Sequence, residues 1–83
     1  MIDINSLTPA ECRAARGAIK WTQSKLAQTC GIKEQTVSEF ERARTKAHPL
    51  TIKAMREALI DAGVIFERQG DFFVIKFREA RKR

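Results

Sequence analysis

The sequence predicts a mainly α-helical domain, four helices followed by a C-terminal β-hairpin. Three observations lead there. Apolar residues recur at helical spacing between Thr8 and Ala62. Proline and glycine punctuate that stretch at Pro9, Gly31, Pro49 and Gly63, where helices start and stop. Beyond Gly63 the pattern changes to β-branched and aromatic runs on either side of Gln69-Gly70-Asp71.

The first helix has a sharp start. Thr8-Pro9-Ala10-Glu11 reads as a capping box with proline at the first helical position: the Thr8 hydroxyl accepts from the Glu11 amide, and the Glu11 carboxylate reaches back. Cys12, Ala15 and Ile19 then mark a buried stripe. Gly17 either weakens this helix or permits close packing against it. The pattern breaks at Trp21-Thr22, where Thr22 can cap a second helix from Gln23 to about Cys30, ended by Gly31. Ile32 and Lys33 lead into a third helix, Glu34 to about Arg42. A short helix, a tight glycine turn and a second short helix make a helix-turn-helix arrangement.

A polar, basic loop follows, from Arg42 to His48. His48-Pro49 restarts a helix whose buried stripe is Ile52, Met55, Leu59 and Ala62, with Gly63 as its C-terminal cap. Val64-Ile65-Phe66 and Phe72–Phe77 then read as the two strands of a hairpin. On the second strand, Phe73, Ile75 and Phe77 share one face. Phe72 and Val74 share the other before it turns polar at Lys76 and Arg78. Three segments result: a helix-turn-helix domain over 1–63, a hairpin over 64–78 and a basic tail over 79–83.

With 83 residues, one domain is expected, and a domain this small buries a modest core. The 43% hydrophobic share is that of a folded chain, and the net charge of +6 favours a polyanionic partner. Two cysteines and a single histidine, without close spacing, argue against a zinc finger. Cys12 and Cys30 read as small buried hydrophobes, with a disulfide left open. No nucleophile–base set, metal cluster or phosphate-cradling glycine loop points to an enzyme, and neither metal nor cofactor is expected. No apolar run reaches the roughly 18 residues of a membrane span, and Met1–Leu7 lacks the charge and apolar pattern of a signal peptide, so a cytoplasmic protein is expected.

The informative segment is Thr22 to Arg42. Ala27 must be small because the next helix crosses close to it, and Gly31 suits a turn of positive φ. Val37 and Phe40 lie on one side of the third helix and can pack on Leu26 and Ala27. At about 100° per residue the opposite side carries Gln35, Ser38, Glu39 and Arg42. Lys33 and Glu34 lie at the helix N-terminus, the end that usually meets base edges.

Trp21-Thr22-Gln23, Leu26-Ala27, Gly31, Val37-Ser38 and Phe40-Glu41 resemble, at these spacings, the phage repressor and Cro-like (XRE-type) helix-turn-helix family. The likeness runs from about Cys12 to Gly63. It implies a lambda-repressor-like bundle that binds double-stranded DNA in the major groove. It implies that Gln23 donates to a backbone phosphate, and that Lys33, Glu34, Gln35, Ser38 and Glu39 occupy base-reading positions. Arg42, Arg44 and Lys46 would touch phosphates, and Arg16 and Glu41 would form a structural ion pair. Two residues depart from the pattern. Lys33 stands where Ser or Thr often caps the recognition helix, and it cannot accept amide hydrogen bonds. Glu34 and Glu39 put acid on the reading surface, where carboxylates repel phosphate yet can accept from the amino group of cytosine. Glu34 also suits the helix dipole, and Glu39 also suits a basic neighbour.

The expected function is that of a homodimeric transcriptional regulator, a repressor at a pseudo-palindromic operator. Phe72 and Val74 are the expected dimer contacts, unless the hairpin folds entirely onto the fourth helix. The other readings are an antitoxin-type autoregulator whose hairpin grips a toxin protein, and an interaction module that has lost DNA binding.

Overall fold

The structure, a computed structural model, describes residues 6–78. The tail expected over 79–83 lies outside the described residues. Four helices, α1 (Pro9–Ala18), α2 (Gln23–Cys30), α3 (Glu34–Glu41) and α4 (Pro49–Asp61), precede strands β1 (Val64–Gln69) and β2 (Phe72–Phe77).

The helix starts follow local chemistry. Thr8 and Glu11 close the capping box on α1, with the Glu11 amide donating to Thr8 Oγ1 at 3.1 Å and the Thr8 amide donating to Glu11 Oε1 at 2.9 Å. Thr22 accepts from the Lys25 amide to cap α2. His48 caps α4 through Nδ1, which accepts from the Leu50 amide, and Pro49 opens the helix.

The first three helices end alike. In each, two amides fold back on the last turn, from Lys20 and Trp21 after α1, from Gly31 and Ile32 after α2, and from Ala43 and Arg44 after α3. The pivot residue takes left-handed φ: +61° at Lys20, +72° at Gly31 and +58° at Ala43. Only Gly31 does so without steric cost. Arg42 is therefore the cap of α3 and not its last helical residue. Similarly, Ala62 caps α4, and Gly63, the expected cap, stands one residue further on at φ +108° and turns the chain into β1. At Gly17 nothing lies within 4 Å of where a Cβ would sit, so close packing does not explain that glycine.

The core comprises Leu7, Cys12 and Ala15 from the first helix and its lead-in, Leu26 and Ala27 from α2, Val37 and Phe40 from α3, Met55, Ala58 and Leu59 from α4, and Val64 from β1. Helix α2 packs on α3 and α4, while α1 packs on α3, α4 and β2. Ala27, on α2, is 2% exposed within this core.

The strands pair antiparallel with Val64 opposite Phe77, Phe66 opposite Ile75 and Gln69 opposite Phe72, joined through Gly70-Asp71. Gly70 takes φ +60°, the glycine-first pattern of a tight hairpin turn. Because cross-strand partners share a face, Val64, Phe66, Ile75 and Phe77 form one side. That side meets the core through buried Val64 and half-buried Phe66 and Ile75. The other side carries Ile65, Val74 and Phe72, with the Glu67–Lys76 ion pair among them at 3.2 Å. The hairpin rests on α4 through β1 and on α1 through β2, so it does not fold onto the fourth helix alone. Its outer side stays open, with Phe72 73% exposed.

Candidate nucleic-acid interface

The fold presents α3 as a ridge with two different sides. Val37, Phe40 and Glu41 are buried, while Glu34 and Gln35 are exposed and Ser38 and Glu39 half-buried. Lys33 is the N-cap, and its side chain makes no capping hydrogen bond, as its chemistry dictates. Gln35 Nε2 donates to Glu39 Oε2 at 3.1 Å, one turn along the exposed side. The chain leaves α3 at Arg42, and the Ala43 pivot leads into a loop that exposes Arg42, Arg44 and Lys46.

The side of α3 turned inward is anchored by one carboxylate. Glu41, 2% exposed, accepts from Arg16 Nε on Oε2 and from Arg16 Nη2 on Oε1, both at 2.8 Å. Cys12 Sγ donates to Oε2 and Gln23 Nε2 to Oε1, each at 3.1 Å. Four donors thus occupy the lone-pair sites of a group that is costly to bury unpaired. Arg16 also donates to the Trp21 carbonyl in the link between α1 and α2, and Arg13 Nη1 donates to the Glu41 backbone carbonyl at the end of α3. The network ties α1, α2 and α3 together at the point where the chain leaves α3 for its exit loop.

The charges follow from this packing. Burial pushes the Glu41 carboxyl up, but the hydrogen bonds from Arg16, Gln23 and Cys12, with the Arg16 charge, outweigh it and leave it below the usual carboxylate range. The hydrogen bond to Glu41 raises Arg16 against the opposing effect of burial. Burial, then the hydrogen bond to Glu41, pushes the Cys12 thiol well up, so it remains a thiol. Both cysteines are free, which answers the question of a disulfide.

Glu34, Gln35, Ser38 and Glu39 therefore lie along α3, Lys33 stands at its N-cap, and Arg42, Arg44 and Lys46 follow it. The pair expected of Arg16 and Glu41 forms. Gln23 lies at the start of α2, but its amide nitrogen is engaged by Glu41. Phe72 and Val74 lie on the hairpin, on its outer side. The parts played by Cys12 and Arg13 were missed by sequence reasoning. The available signal was their spacing, four and three residues before Arg16 on one helix.

A family model described as helix-turn-helix matches residues 13–59, more than half of the 83-residue chain. No curated protein matches it. Among the described residues no helix is long and apolar enough to cross a membrane.

Proposed function

The chain belongs to the helix-turn-helix family of DNA-binding regulators, and from that premise we propose that it is a sequence-specific repressor reading a two-fold-symmetric operator as a homodimer. The observation that carries this reading is the outward side of α3. There Glu34 and Gln35 stand exposed with Ser38 and Glu39 beside them, while the opposite side is locked into the core. A helix held this firmly from behind and polar in front suits the major groove. Lys33 at its start, and Arg42, Arg44 and Lys46 after its end, supply cations for the flanking phosphates. Gln23 adds a phosphate contact when its second amide hydrogen turns outward.

The dimer rests on the hairpin. Ile65, Val74 and Phe72 form an apolar patch that contains one acidic and one basic residue, Glu67 and Lys76. A patch carrying both signs can complement a copy of itself across a two-fold axis. The same exposure of Phe72 favours a second reading, in which the hairpin holds a toxin partner while α3 regulates the operon. Co-purification of a second small protein distinguishes the two.

The test is selection of bound duplexes from a random library at stated salt, with wild type and Gln35→Ala in parallel. The expected result is a two-fold-symmetric site whose preference relaxes at one position per half-site in the variant. Weak, salt-sensitive binding without an enriched site would overturn the reading.

A further inference from the structure

Gln35 and Glu39 are both acceptors at their side-chain oxygens, but only Gln35 has hydrogens to give, two of them on one nitrogen. One of those hydrogens is donated to Glu39 Oε2. Building on the DNA-reading role above, we propose that the two residues form one reading unit. In it Glu39 orients Gln35 for adenine and keeps its own second oxygen for the amino group of cytosine.

The argument turns on what remains free. With one N–H held by Glu39, Gln35 presents one N–H and its Oε1 to the groove. Adenine offers there an acceptor at N7 and a donor at N6, the complementary pair. Guanine offers two acceptors, N7 and O6, and needs two donors from its reader. Gln35 could supply two by turning its NH2 group outward. That rotation would give up the hydrogen bond to Glu39 and set Oε1 against its carboxylate, acceptor against acceptor. Glu39 therefore acts as a specificity-determining residue at a base it does not touch. Its free Oε1 can only accept, which suits the exposed amino group of cytosine and rejects the keto oxygens of guanine and thymine.

The experiment is the same selection, at one stated salt concentration, with wild type, Gln35→Ala, Glu39→Ala and Glu39→Gln, each shown by its melting transition to be folded. Wild type is expected to prefer adenine at one position in each half-site and cytosine at another. Gln35→Ala reduces the adenine preference by roughly 5- to 150-fold, the worth of a good bidentate base contact. Glu39→Ala lets guanine in at the same position although Gln35 is intact, and loses the cytosine preference. Glu39→Gln, whose NH2 can donate to Gln35 Oε1, also lets guanine in, because the acceptor-against-acceptor clash is gone. If Glu39→Ala raises affinity for all duplexes alike and leaves the adenine position unchanged, the coupling is overturned and the DNA-reading role stands. If wild type enriches no site, both fall.

Discussion

Arg16 and Glu41 face each other across 25 positions of sequence in a two-pronged pair, Nε to Oε2 and Nη2 to Oε1, with both contacts at 2.8 Å. The guanidinium keeps 19% exposure while the carboxylate keeps 2%, so the pair is solvated from one side only. Such a pair is weak evidence for net stability, yet removing one partner leaves the other uncompensated. Glu41→Gln is therefore expected to lower the unfolding free energy by about 2–4 kcal/mol, discounted for the part-exposed arginine. Urea unfolding measures this; an unchanged midpoint would show that the pair contributes nothing.

The same pair sets an acid limit. The folded-state pKa of Glu41 lies below its unfolded value because the donors of Arg16, Gln23 and Cys12 outweigh the cost of burial. Its contribution is thus fully present above the unfolded pKa and is lost as pH falls through the folded one. Wild type should lose stability on acidification below the usual carboxylate range, and Glu41→Gln should lose less over that interval. Parallel curves for the two proteins would place the acid sensitivity elsewhere.

The helix-ending pivots give a mirrored pair of predictions. Ala43 takes φ +58° with a side-chain carbon, and Gly31 takes φ +72° without one. Ala43→Gly should stabilise the protein by about 0.5–1 kcal/mol, the relief of left-handed strain less the backbone entropy of glycine. Gly31→Ala should cost about 1 kcal/mol from the backbone alone, since its Cβ would meet nothing within 4 Å. Thermal melts with opposite shifts would bear this out; shifts of the same sign would not.

Phe72 is 73% exposed, so Phe72→Asp should leave the fold within about 0.5 kcal/mol of wild type. Sedimentation should then show a monomer with weakened operator binding. Retention of a dimer by the variant would remove the outer side of the hairpin from the interface.

Cys12 is fully buried and held as a thiol by burial and by Glu41, while Cys30 is half-buried at the end of α2. Because the thiolate is the reactive form, an alkylating reagent should label Cys30 first and reach Cys12 only as fast as the chain opens. Peptide mass mapping over time reads this directly, and equal labelling rates in the native protein would contradict the buried site.

The sequence by itself determined the elements and most of their ends. Thr8, Thr22 and Gly31 act within three or four residues of themselves, and so do the periodic stripes of α1 and α4; backbone sterics and hydrogen bonding at that range are complete in the local sequence. Lys33 shows the same legibility in reverse, since a side chain that cannot accept cannot cap, and it does not. The likeness to a known motif anticipated the Arg16–Glu41 pair. Tertiary structure decided the rest. Cys12 and Gln23 meet Glu41 from 29 and 18 positions away, partners chosen by how α1, α2 and α3 pack. Packing also decided which face of the hairpin is covered, because both faces are apolar and alternation cannot rank them; β1 brings Val64 onto the core and leaves Phe72 outside. The link between Gln35 and Glu39 lies between these cases. Their spacing was legible, but which group meets the carboxylate is a property of the assembled surface.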